Sequence, residues 1–175
     1  YAIKYFNNMG KKVIYTAPIK ALSNQKYYEF QQKFPTISFG ILTGDVKFNP
    51  EADVLIMTTE ILRNTLYMKK LNDTTNLDFE MNMDTELGCV VFDEVHYIND
   101  ADRGKVWEES IMMLPKHVNM VMLSATIDRS EEFGTWVEKT TGRDVCICST
   151  QKRVVPLSHY VYLNYPRRFY KGMAN

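Results

Sequence analysis

At 175 residues, with 45% hydrophobic and 24% charged side chains, the chain has the composition of one globular domain with a single core. Its 21 basic and 21 acidic residues cancel, so overall charge neither demands nor forbids a polyanionic partner. The cysteines form no disulfide framework and no paired metal-ligand spacing, and the 175 residues show no signal-peptide pattern and no apolar run of roughly 18 residues, the length of a membrane span.

The charge is unevenly spread. Residues 1–50 hold 7 basic and 2 acidic side chains, 51–100 hold 3 and 11, 101–150 hold 6 and 8, and 151–175 hold 5 basic ones and no acidic one. Cys89, Cys146 and Cys148 read as free thiols of a reducing, intracellular compartment, cytoplasmic or nuclear, with Cys146 and Cys148 buried on one face of a strand. The chain starts at Tyr1 and reads as a piece of a longer protein.

Apolar residues at helical spacing predict a first helix over 1–9, stopped by Gly10. A β-branched strand, Val13 to Thr16, ends in Ala17-Pro18 and leads to a helix carrying Leu22, Tyr27 and Phe30. Residues 37–42 alternate as a strand that ends at Thr43-Gly44-Asp45, and 52–57 form a buried strand that ends at Thr58-Thr59. A helix over 60–67 follows, with Thr59 as its expected N-cap. The acidic stretch 69–86 predicts an exposed loop. Beyond it come a strand over 90–92, a helix over 102–114 and a strand over 120–123 that ends at Ser124-Ala125-Thr126. A helix over 130–140, a strand over 145–148 and an extended exit over 154–163 complete the chain.

Strands alternating with helices predict an α/β fold with a mostly parallel, doubly wound sheet. The strand ends then fall on one sheet edge, where ligands of such folds bind. The most informative is Val90-Val91-Phe92-Asp93-Glu94-Val95-His96, a buried apolar run that stops at two carboxylates and an imidazole. Such polar groups need partners or a cleft. Asp-Glu after an apolar strand is how nucleotide hydrolases hold magnesium and handle water. The plainer alternative makes Asp93 a helix cap and Glu94 solvated surface.

Together these loops resemble the first RecA-like domain, a three-layer domain, of a superfamily 2 helicase. Ala17 to Lys26 resembles motif Ia, Thr58 to Asn64 motif Ib, Asp93-Glu94-Val95-His96 motif II of the DExH type, and Ser124-Ala125-Thr126 motif III. Phe92 to Asp100, followed by Asp102-Arg103-Gly104-Lys105-Val106-Trp107-Glu108-Glu109, is similar to the superkiller-type, exosome-associated RNA helicases. Arg153-Val154-Val155-Pro156-Leu157 before His159-Tyr160 resembles the point where that family leaves its first domain.

The resemblance implies ATP and Mg2+ as cofactors, and RNA (single-stranded or 3′-tailed duplex) as partner, with DNA as the alternative. It also implies a second RecA-like domain of the same chain, an RNA-decay complex and no membrane. Residues 1–152 would form the ATP-binding domain and 153–175 a linker. Asp93 would hold magnesium through water beside Glu94, and Glu94 would polarise the attacking water. His96 would reach the opposite domain, while Ser124 and Thr126 would link hydrolysis to strand separation. Pro18, Gly44, Asp45, Thr58, Thr59 and Glu60 would face nucleic-acid phosphates, with Lys20 and Arg63 as cations and Arg103 organising the loop after Asp93-Glu94. Glu60 beside a phosphate path is repulsive unless it pairs, with Arg63 or a ribose hydroxyl.

One feature departs from the family. The 175 residues contain no Gly-x-x-x-x-Gly-Lys-Ser/Thr phosphate loop, which the resemblance places upstream of Tyr1. The chain alone is therefore expected not to hydrolyse ATP. Three readings stand: part of an ATP-dependent RNA helicase of RNA processing or decay, a DExH DNA helicase of the repair type, and a catalytically silent RecA-like binding module.

Overall fold

The computed structural model describes residues 1–71, 79, 81–150, 155–158 and 160. Six strands form one sheet in the order β3-β2-β4-β1-β5-β6. The strands are β1 (Lys12–Ala17), β2 (Phe39–Leu42), β3 (Lys47–Phe48), β4 (Val54–Thr58), β5 (Leu87–Phe92) and β6 (Asn119–Met122). All neighbours run parallel except β2 and β3, which pair antiparallel as a short hairpin.

The parallel register decides where the loops emerge. Ala17 lies opposite Thr58, Thr16 opposite Phe92, Phe92 opposite Met122 and Leu42 opposite Met57. The segments beginning at Pro18, Thr43, Thr59, Asp93 and Leu123 therefore leave from one edge, as the alternation of strand and helix requires.

Helices cover both faces. On one, α1 (Ala2–Asn8) and α2 (Lys20–Lys33) place Ile3, Tyr27 and Phe30 against Val13, Tyr15, Val54, Ile56 and Val91. On the other, α3 (Thr59–Lys70), α4 (Gly104–Met113) and α5 (Ser130–Thr141) place Leu62, Trp107, Ile111 and Val137 against Ile14, Leu55, Val90 and Phe92. Successive residues of β1, β4 and β5 thus enter opposite cores, which is why these strands read as unbroken apolar runs. The expected doubly wound sheet is found.

Local signals account for two boundaries. Gly10, at φ +67°, donates to Asn7 O at 2.9 Å and closes α1 in the left-handed conformation that glycine adopts freely. Gly104 opens α4 against the preceding 3-10 turn, Val95–Asn99; a β-carbon there would lie 2.1 Å from Ile98 O.

Several expectations need correction. Residues 145–148 pair with no strand, and Cys146 and Cys148 are exposed, with their sulfurs 3.9 Å apart. Only Cys89 is a buried thiol. Thr58, not Thr59, occupies the N-cap of α3, without a side-chain capping bond. The stretch 69–86 is not wholly exposed: Phe79, Met81 and Met83 are buried in the α3–α5 core, and Lys69 donates to Met81 O. Residues 72–78 and 80, half of the extended exit and most of the 153–175 linker lie outside the described residues.

Candidate functional site

Three backbone bonds shape the turn that follows β5. Asp93 N–H donates to Thr16 O at 2.9 Å, Val95 N–H to Leu123 O at 2.8 Å, and Leu123 N–H to Phe92 O at 2.9 Å. The Asp-Glu turn is thereby tied to β1 on one side and to the segment after β6 on the other. Buried Val95 anchors the turn in the core, while Glu94 sits in the left-handed region at φ +51°, ψ +45°. A non-glycine residue there is held by its surroundings at a conformational cost, which is common where a side chain must be aimed.

Asp93 does not cap a helix. Its Oδ1 accepts the Glu94 N–H at 3.0 Å, and its Oδ2 accepts the hydroxyl hydrogen of Tyr15 at 2.5 Å. Burial, and then the adjacent Asp93 carboxylate, hold the Tyr15 hydroxyl protonated far above its ordinary range. Each Asp93 oxygen keeps a lone pair. One carboxylate completed by water and phosphate oxygens is an ordinary magnesium environment, so the donor set fits that ion. Among the described residues no group of three or more His, Cys, Asp or Glu converges on a common point, so the ion would need oxygens from a nucleotide and water.

His96 joins two of the expected motifs. Its Nδ1 lies 3.2 Å from Glu94 Oε2 and 3.4 Å from Ser124 Oγ. One half-buried imidazole thus touches the carboxylate after β5 and the hydroxyl after β6. Thr126 is exposed two residues beyond Ser124.

A second group lies along the same edge. A cleft of 650 Å³ is lined by Pro18, Lys20, Gly44, Thr58 and Glu60, together with Ile19, Ile61, Asn64 and Arg103. Asp45 joins it by pairing with Lys20 Nζ. Two expected residues are placed elsewhere. Thr59 is fully buried, its hydroxyl without a partner among the described residues, and Arg63 turns to Glu109 of α4 at 3.3 Å.

Glu60 pairs with neither Arg63 nor solvent alone. Arg103 Nη2 donates to Glu60 Oε1 and to Pro18 O, and so bridges the first turn of α3 and the loop after β1. The guanidinium lies 5.9 Å from the Tyr97 ring and 5.7 Å from that of Trp107. Tyr15 was not among the expected site residues; its signal was a phenol within a buried strand next to the Asp93 strand. Asn64 carried no signal beyond its place in the motif Ib stretch.

Comparison with known proteins agrees with this arrangement. The family model described as DEAD/DEAH box helicase matches residues 1–133. The chain is 48% identical over 157 residues to Antiviral helicase SKI2 of Saccharomyces cerevisiae, covering 90% of this chain and 11% of that protein. It is 44% identical over 175 residues to DExH-box ATP-dependent RNA helicase DExH11 of Arabidopsis thaliana, covering 100% of this chain and 12% of that protein. The chain therefore spans only a small fraction of the curated relatives it matches. The solved structure of Mycobacterium smegmatis helicase Lhr bound to ssDNA and AMP-PNP superposes with TM-score 0.55 at 24% identity, over 71% of this chain and 18% of that one; this likeness speaks to the RecA-like fold alone. With the family model matched over most of its length and the Asp-Glu-Val-His turn at a parallel sheet edge, the chain belongs to the DEAD/DEAH box helicases.

Proposed function

We propose that this chain forms the first RecA-like domain, over residues 1–152, of an ATP-dependent RNA helicase that acts in RNA processing or decay. Residues 153–175 would lead to a second such domain. The contact of His96 with both Glu94 and Ser124 carries the reading. It supports a relay between an ATP-facing carboxylate and the neighbouring loop of the same edge.

In this reading Asp93 would hold magnesium and Glu94 would align the water that attacks the γ-phosphate. Magnesium would neutralise charge developing on the phosphates. His96 fixes the Glu94 carboxylate and transmits its position to Ser124. Pro18, Lys20, Gly44 and Thr58 line the path of the nucleic-acid backbone, with Glu60 in its wall; the Thr58 hydroxyl, backbone N–H groups and the Lys20 ammonium would read backbone and not base. Matched relatives named as an antiviral helicase and an ATP-dependent RNA helicase support RNA as the substrate.

The test is ATP hydrolysis by the intact protein that carries this chain, with and without single-stranded RNA or DNA, beside Glu94→Gln. RNA-stimulated turnover that falls by at least about 100-fold in the variant supports the reading. Stimulation by DNA alone moves the protein to the DNA-repair group. Absence of turnover leaves a binding module.

A further inference from the structure

Glu60 presents a chemical difficulty. It lies in the first turn of α3, where the helix dipole favours a carboxylate. It also lines the cleft assigned to a phosphate backbone, where a free carboxylate repels the ligand. Glu60 is about one-third exposed, so solvent screens it only in part.

The compensating charge comes from a different element. Arg103 stands at the N-cap of α4 and reaches across to Glu60 Oε1. The same nitrogen holds Pro18 O, which fixes the loop after β1 against the start of α3. The guanidinium plane is placed by two aromatic rings, Tyr97 and Trp107, which stack on one another with centroids 5.8 Å apart. Glycine at the next position lets α4 start against Ile98 O. A lysine would bring the charge without the planar group that lies against the two rings.

We propose that Arg103 is a positioning residue for nucleic-acid binding: it neutralises Glu60 and clamps the Pro18 loop to α3, so that an acidic side chain can stand in the wall of a phosphate-binding cleft. The inference rests on the cleft reading above and extends it to a residue that need not touch the ligand. Its signature is charge-specific. Removing Arg103 exposes the ligand to Glu60, and removing the Glu60 charge as well relieves that repulsion.

The experiment measures the affinity of the intact protein for a fluorescent oligouridylate by anisotropy. Arg103→Ala is expected to weaken binding by about fivefold, the effect of one unscreened charge at contact distance in water. Arg103→Ala with Glu60→Gln is expected to return to within about twofold of the wild type, and Glu60→Gln alone to bind no more weakly than the wild type. Full affinity in Arg103→Ala, or a double variant as weak as Arg103→Ala, overturns the proposal. Should Arg103→Ala lower the melting temperature enough to lose the fold, Glu60→Gln alone decides: weaker binding shows that the ligand uses the carboxylate directly and overturns it. Lys20→Ala separates the two levels of the argument. If it leaves affinity unchanged, the ligand does not use this cleft and the site reading falls; if it weakens binding while rescue fails, only the role of Arg103 falls.

Discussion

Tyr15 lies in β1 and Asp93 just beyond the end of its parallel neighbour β5, and the phenol of one donates its hydrogen to the carboxylate of the other at 2.5 Å. The partner oxygen of Asp93 accepts the Glu94 N–H, so both carboxylate oxygens are oriented by groups of the chain itself. Tyr15 is 5% exposed and meets Phe30 edge to face at 5.2 Å, so its ring belongs to the core while its hydroxyl belongs to the site.

Tyr15→Phe keeps that ring and removes only the donor. A hydrogen bond to a charged group contributes about 1.5–3 kcal/mol, and here most of its effect is on carboxylate orientation. The expected outcome is a raised Mg2+ requirement, by about three- to tenfold in half-saturating concentration, with the melting temperature nearly unchanged. A Mg2+ titration of RNA-stimulated ATP hydrolysis in the intact protein checks it. An unaltered Mg2+ curve would mean that Asp93 holds its orientation without Tyr15.

Trp107 makes a separate prediction about stability. It is fully buried between the sheet and the Arg103 guanidinium, and its indole N–H has no hydrogen-bond partner among the described residues. Trp107→Ala should cost about 3–5 kcal/mol in urea unfolding, through lost burial and an unfilled cavity. Trp107→Phe should cost clearly less, because it keeps an aromatic surface and discards the unpaired donor. Equal losses in the two variants would show that a phenyl ring does not fill the space of the indole.

The thiols differ sharply and can be told apart chemically. Burial pushes the Cys89 thiol up to about 12, whereas Cys146 and Cys148 are exposed and share a hydrogen bond that raises Cys148. Iodoacetamide should label Cys146 and Cys148 in the folded protein and Cys89 only in denaturant, as peptide mass spectrometry would show. The sign for stability follows from the same shift. An unfolded thiol ionises near its ordinary value of 9.0 while the folded Cys89 stays protonated, so its contribution is complete below pH 9 and is lost as pH rises towards 12. Between pH 8 and pH 10 the wild type should lose at most about 1.4 kcal/mol more than Cys89→Ala in urea unfolding.

The strands of the buried sheet were legible because β1, β4 and β5 are apolar on both faces, and their polar ends announce the loops. β3 was not, since Lys47 and Phe48 are both exposed and carry no periodic signal. The alternation of Phe79, Met81 and Met83 was hidden inside an acidic stretch whose composition reads as solvent-facing. At the site, Asp93, Glu94, His96 and Ser124 could be read locally, because each stands at the end of a strand or just beyond it. Pairings across the fold could not. Glu60 meets Arg103 at a sequence separation of 43, and Arg63 meets Glu109 at 46; only the packing of α3 on α4 decides which arginine takes which glutamate.

Both cations that line the cleft already hold a carboxylate: Lys20 pairs with Asp45, and Arg103 with Glu60. A wall so balanced has little free positive charge to neutralise phosphates, so a strand bound there would release few of its own condensed counterions, and that release is the chief entropic reward of gripping a polyanion. Under the proposed function, what holds the strand would be short-range and directional, and small movements of the loops that supply it would break it. Such a cleft would engage and release a strand without a deep electrostatic well to climb from at each step.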